Sequence, residues 1–125
     1  MEQKVCLDTD VVISILNGEE RAEKLVEVIE STDVFISVVT LFELLLRETN
    51  LEKIELFRQR VKIIDFNEQA SRKASLIFKD LRKKGRLIDF RDIFIASICI
   101  VNNSKLATFN KKHFENINEL ELVHI

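Results

Sequence analysis

The 125-residue chain contains no proline, tryptophan or tyrosine, and only two glycines. With no proline- or glycine-rich stretch to serve as a linker, a single domain over residues 1–125 is expected. Cysteine is scarce: Cys6 and Cys99 each sit between apolar neighbours, in Val5-Cys6-Leu7 and Ile98-Cys99-Ile100. Two such thiols make no disulfide framework and fit a reducing cytoplasm, where they pack as small hydrophobes. The longest strongly apolar run, Ile93 to Val101, is too short to cross a bilayer, and Met1-Glu2-Gln3-Lys4 lacks the start of a signal peptide. A cytoplasmic protein with no membrane partner is expected. An excess of one charge is also missing, since 19 Lys and Arg face 21 Asp and Glu, a formal net charge of -2. That balance excludes strong indiscriminate attraction to nucleic acid or lipid.

What is present is a core. Hydrophobic residues make up 46% of the chain, and a domain of this size buries roughly two-thirds of its unfolded surface. Val5-Cys6-Leu7, Val34-Phe35-Ile36-Ser37, Ile63-Ile64, Lys105-Leu106-Ala107-Thr108 and Leu120 to His124 read as five short strands. Between them lie segments of helical period. Ala22, Leu25, Val26 and Ile29 form one stripe; Thr40 to Leu46 a second; Leu51, Ile54, Phe57 and Val61 a third. Asn67 reads as the cap of a helix running to Gly85, and Asp89 or Phe90 opens another reaching Asn102. Lys111 to Phe114 forms a helical turn. Strands apolar on both faces and alternating with helices predict an α/β sandwich around a parallel sheet.

In such a sheet, ligands bind beyond the carboxyl ends of the strands, near the point where strand order reverses. Asp8 and Asp10 follow the first strand, Glu43 lies about two turns beyond the second, and Thr108 and Asn110 follow the fourth. Asp92 opens the helix that leads to the fourth strand, with Asp89 one turn earlier. Carboxylates gathered at one edge repel one another and call for a cation; oxygen ligands without His or Cys favour Mg²⁺ or Mn²⁺ over Zn²⁺. A metal so held suits hydrolysis of a phosphate ester. The structural alternative is that Asp8 caps a helix, Asp10 starts it, Asp89 caps the next, and Asp92 complements that helix's dipole. Glu43 resists this reading, because it interrupts Leu41-Phe42 and Leu44-Leu45-Leu46 on an apolar helix, where a charge wants a partner or a metal.

These pieces resemble the PIN-domain ribonucleases, particularly the toxins of VapBC toxin–antitoxin pairs. The likeness is carried by Leu7-Asp8-Thr9-Asp10, Ser37-Val38-Val39-Thr40-Leu41-Phe42-Glu43-Leu44, Asp92-Ile93-Phe94-Ile95-Ala96-Ser97 and Leu106-Ala107-Thr108-Phe109-Asn110 through Phe114, in order across nearly the whole chain. The resemblance implies a three-layer α/β/α sandwich with a central parallel five-stranded sheet in the order 3-2-1-4-5. It also implies Mg²⁺- or Mn²⁺-dependent endoribonuclease activity and a VapB-like antitoxin partner. By the same resemblance, Asp8, Glu43 and Asp92 are the catalytic and metal-binding residues, with Thr9, Thr108 and Asn110 at pocket positions; Asp89, one turn before Asp92, is a further supporting candidate by its position. Asn110 departs from members with a fourth acid here, though toxin-type members often carry Asn.

Charge is unevenly spread along the chain. From Arg72 to Arg91, eight basic residues face only Asp80 and Asp89, whereas residues 17–33 hold six acids and two bases. Lys83, Lys84, Arg86 and Arg91, with Lys111 and Lys112 in a second basic cluster, are candidate contacts for RNA phosphates. The structural alternative is a solvated helix end that complements its dipole. His113 and His124 read as structural, lacking the spacing of a metal or catalytic pair. Leu41 to Leu46 and Leu51 to Phe57 offer surface for a homodimer or an antitoxin, although stripes of this kind ordinarily line a core. Two other functions compete. Asp8-Thr9-Asp10 after an apolar strand resembles the start of haloacid-dehalogenase-like phosphatases, with Asp8 as nucleophile and Asp10 as general acid. A non-catalytic dimerisation module would use the acids only as caps.

Overall fold

The computed structural model describes residues 3–124; Met1 and Glu2 of the leader reading lie outside them. In chain order the elements are β1 (Lys4–Leu7), α1 (Thr9–Leu16), α2 (Glu20–Ile29), β2 (Asp33–Ser37), α3 (Val38–Leu45) and α4 (Leu51–Arg60). They continue with β3 (Lys62–Ile64), α5 (Glu68–Lys83), α6 (Phe90–Val101), β4 (Ser104–Ala107) and a 3₁₀ turn at Lys111–His113. The four strands form one parallel sheet in the order β3-β2-β1-β4, with Lys4 facing Asp33 on one side and Ser104 on the other.

Side-chain alternation along the strands builds the three layers. Val5 and Leu7 of β1, Ile36 of β2 and Ala107 of β4 point into a core shared with Val11, Val12, Leu25, Ile29, Leu44 and Ile54 from α1 to α4. Cys6, Phe35 and Leu106, one step out of phase, point to the opposite face and pack with Ala70, Ala74, Ile77 and Leu81 of α5 and Ile93, Ile95, Ala96, Ile98 and Cys99 of α6. Both faces are covered, which is why these strands read as continuous apolar runs. Cys6 and Cys99 are free and buried in the second core, where the hydrogen-bonded Cys6 thiol and burial hold the Cys99 thiol well above the usual cysteine range.

Two expectations are corrected. The fifth strand, Leu120 to His124, reduces to a single parallel bridge between Leu122 and Leu106, held by Leu106 N donating to Glu121 O and Val123 N to Leu106 O at 2.9 Å each. Glu121 and His124 stay exposed, and the segment is anchored by Leu120, Leu122 and Val123 without pairing further. The helical stripe at Leu41 to Leu46 starts earlier and is only partly core. Ser37 caps α3 by accepting from Thr40 N at 3.1 Å, and Leu44 is buried, but Phe42, Leu45 and Leu46 are 62%, 47% and 64% exposed. In α4, likewise, Ile54 is buried while Leu51 and Leu56 are exposed. Among the described residues, no helix is long and apolar enough to cross a membrane.

Phe35 lies at the centre of the second core, 2% exposed on a central strand. Replacing it with Ala should cost about 3–5 kcal/mol in urea unfolding; a loss under about 1 kcal/mol would contradict this packing.

Candidate active site

The strands end where the helices begin. Asp8 is at once the residue after β1 and the N-cap of α1, its Oδ1 accepting from Thr9 N at 2.8 Å. Ser37 ends β2 and caps α3, so that helix carries Glu43 back over the sheet edge. Asp92 occupies the first turn of α6, and Thr108 follows β4 directly. Three helix N-termini therefore face the carboxyl edge of the sheet beside the acids, and their partial positive charge favours carboxylates there.

The acids meet on a cation from the same chain. Arg91 Nη2 donates to Asp8 Oδ1 at 2.6 Å, Nη1 to Asp92 Oδ1 at 2.6 Å, and Nε to both oxygens of Glu43 at 2.9 Å. Asp8 and Asp92 are 1% and 4% exposed. Thr9 Oγ1 donates to Glu43 Oε1 at 2.6 Å and lies 3.2 Å from Thr40 Oγ1. Thr108 Oγ1 donates to the other oxygen of Asp8 at 2.8 Å and accepts from Asn110 N at 3.0 Å. His113 Nδ1 stands 3.3 Å from Asp92 Oδ2. Burial works against the Glu43 carboxylate, but hydrogen bonds from Arg91 and Thr9 outweigh it and hold its pKa below the ordinary glutamate value. Burial likewise opposes the Arg91 charge, and its bonds to Glu43 and the charge of Asp8 overcome that and strengthen its hold on the proton.

Asp8, Thr9, Glu43, Asp92 and Thr108 thus converge, as the sequence predicts. Asp10 does more than start a helix. Its Oδ2 accepts from Phe109 N at 3.1 Å and from Asn110 Nδ2 at 3.2 Å, tying the β4 exit loop to α1 beside Thr108. Burial and then the charge of Asp8 raise its pKa. Asn110 reaches the site through this loop and is itself exposed. Asp89 does not join: it is exposed at the N-cap position of α6, its side chain makes no capping bond, and only its carbonyl is engaged, accepting from Asp92 N and Ile93 N.

Of the candidate phosphate contacts, Arg91 is committed to the acids and Lys84 pairs with Asp80 at 3.0 Å. Lys83, Arg86 and Lys112 are exposed, and Lys111 is partly so. The sequence reading missed two members of the site. Arg91 was read as a candidate contact for RNA phosphate and not as a partner of the acids, and His113 lacks a ligand spacing because its partner, Asp92, lies in another segment. The adjacency of Arg91 to Asp92 was the available signal for the first.

The donor set suits a hard divalent cation: carboxylate and hydroxyl oxygens, with a guanidinium already marking the place as one that demands positive charge. With Arg91 between them the acids are spread, and among the described residues no three His, Cys, Asp or Glu groups stand at metal-ligand spacing.

A family model for the PIN domain matches residues 5–120. The chain belongs to the PIN-domain family. A 33% identical relative, Ribonuclease VapC1 of Methanocaldococcus jannaschii, aligns over 97% of this PIN chain and 86% of its own length. Ribonuclease VapC2 of Rickettsia felis is 30% identical over 93% of both. Among solved structures, VapBC2 from Rickettsia felis bound to a promoter DNA fragment superposes with a TM-score of 0.86, covering 97% of this chain and 98% of that one at 27% identity. VapBC-1 from nontypeable Haemophilus influenzae gives 0.83 at 27% identity, over 97% of both chains. These matches place the PIN domain among the VapC ribonucleases and make it a nuclease. The phosphatase reading does not fit that family, and the Oδ2 of Asp10, its general acid, is taken up by the Phe109 and Asn110 amides.

Because the Glu43 pKa is depressed in the folded protein, its stabilising contribution is complete above the unfolded value of about 4.3 and fades as pH falls through the folded one. In urea unfolding from about pH 5 down to about pH 3, Glu43→Gln should lose stability less steeply than the unsubstituted protein. Parallel pH profiles would show that Arg91 and Thr9 do not hold the charged form.

Proposed function

We propose that this PIN domain is the toxin of a VapBC-type pair, a cytoplasmic Mg²⁺- or Mn²⁺-dependent endoribonuclease that hydrolyses RNA phosphodiester bonds. The reading is carried by one observation: Asp8, Glu43 and Asp92, from three segments of the chain, converge on a single cation at the carboxyl edge of the sheet. Asp8, Glu43 and Asp92 would hold the metal. Bound there, it would neutralise the scissile phosphate and lower the pKa of the attacking water.

The chain's own groups set that chemistry up. Thr108 fixes one oxygen of Asp8 and Thr9 fixes one of Glu43, so the remaining lone pairs point to a common centre. Asp10 anchors Phe109 and Asn110, which keeps the hydroxyl of Thr108 in register with Asp8. Hydrolysis forms a bond from water oxygen to phosphorus and breaks the bond to the 3′ oxygen, leaving a 5′-phosphate and a 3′-hydroxyl. Lys83 ends α5, Lys84 and Arg86 lie in the segment that leads to α6 and Asp92, and Lys111 and Lys112 follow Asn110, so both basic clusters adjoin chain segments leading to or from the acids and would hold phosphates on either side of the cut.

The apolar surface supports the partner assignment. Val39, Phe42, Leu46, Phe66 and Phe94 line a groove that reaches Glu43 and Arg91. Phe66 and Phe94 pack tilted against each other within it, ring centroids 4.6 Å apart. A contiguous apolar face of this kind, beside the site, fits a VapB-like antitoxin or a second copy of the chain in a homodimer. The structural neighbours that contain VapB partners make the antitoxin the natural occupant.

Asp8→Asn and Asp92→Asn should each lower metal-dependent RNA cleavage by about a hundredfold or more while the circular dichroism spectrum stays native. Cleavage by Asp8→Asn at the unsubstituted rate would overturn the assignment. Neutralising Lys83, Lys84 and Arg86 together should weaken RNA binding and flatten its salt dependence by up to about two to three charges; an unchanged slope would remove the patch from the interface.

A further inference from the structure

Arg91 reaches all three acids with its guanidinium, Nε bonding Glu43, Nη1 bonding Asp92, and Nη2 bonding Asp8 at 2.6 Å while standing 2.8 Å from Glu43 Oε1. These are the residues that would ligate a metal, and the two contacts at 2.6 Å fall on single oxygens of Asp8 and Asp92. A Mg²⁺ ion takes its oxygens at about 2.1 Å and would draw them inward around one centre. The guanidinium is broader than that and stands in the middle, so the two cations exclude each other from these oxygens. The side chain also has a way out. It is 30% exposed, whereas Asp8 and Asp92 are 1% and 5% exposed at their side chains. Arg91 is the second residue of α6, where a change of side-chain torsions alone carries the head group from the edge into solvent.

We propose that Arg91 is an internal counter-cation that holds the three acids together in the metal-free protein and competes with the divalent ion for them, thereby setting the metal affinity. This rests on the metal reading of the site given above. Three carboxylates facing one guanidinium keep a net negative charge, so the site still attracts a divalent ion. Loading then exchanges one cation for another, and the measured affinity is lower than the acids alone would give. Arg91 is thus a positioning residue of the empty site and a brake on its filling.

The test is calorimetric titration of MnCl₂ into the purified full-length chain, paired with thermal melts in chelator and in saturating Mn²⁺. Arg91→Gln should bind Mn²⁺ about tenfold or more tightly than the unsubstituted protein, since a competing set of charged hydrogen bonds is gone. It should melt lower than the unsubstituted protein in chelator and regain that loss with Mn²⁺. Arg91→Lys, a point charge that cannot bond three acids in one plane, should bind Mn²⁺ with intermediate affinity and serves if Arg91→Gln does not fold. Equal or weaker Mn²⁺ binding by the folded variants, with normal binding by the unsubstituted protein, would overturn the competition. If neither the unsubstituted protein nor Arg91→Lys binds Mn²⁺, the metal reading itself falls, and the competition with it.

Discussion

Three carboxylates pressed against one edge of a small sheet cannot stand without positive charge among them. Two like charges about 4 Å apart repel by about 4 kcal/mol even at an effective dielectric constant of about 20. Asp8 and Asp92 are almost fully buried, which removes the water that would otherwise screen them. Arg91 supplies the missing charge, and three helix N-termini add to it from behind. The fold can be seen as the means of holding these groups at one place, from residues as distant in sequence as Asp8 and Asp92.

The sheet does this by topology. β1 is central, flanked by β2 on one side and β4 on the other, so strand order reverses next to it. Asp8 leaves β1 at that reversal, Thr108 leaves β4 beside it, and α3 brings Glu43 from the β2 side. The hydroxyls of Thr9, Thr40 and Thr108 fill the space among the acids with donors and acceptors. Among the described residues no buried side-chain polar atom lacks a hydrogen-bond partner. A satisfied network of this sort is rigid as well as charged.

Much of this was legible in the sequence, for reasons that differ by residue. The strands could be read because burial on both faces makes them continuous apolar runs, and Glu43 stood out because it breaks an apolar helix. Asp8 was ambiguous on paper because it is both things at once, a cap and a member of the cluster. The expected fifth strand failed because pairing beyond one bridge depends on the edge geometry at Leu106, which no periodicity encodes. Phe42 and Leu46 read as core because hydropathy does not report which side of a helix the tertiary structure leaves open. The pairing of Arg91 with Glu43, and of His113 with Asp92, joins segments remote in the chain and emerges only when the edge is assembled.

The junctions between strand and helix carry a consequence of their own. β1 passes into α1 through Asp8 alone, and β2 passes into α3 with no intervening residue. Such joints have no slack, because each residue is already committed to a ladder on one side and a helix on the other. The backbone beneath the acids therefore has no hinge, and exchange of what they hold falls to side-chain torsions. One residue inserted at Ser37 would advance α3 by one position, about 100° of helical turn, and carry Glu43 off the centre it shares with Asp8 and Asp92. The shortness of these joints makes the site stiff, and sets the length of this part of the chain as firmly as its chemistry.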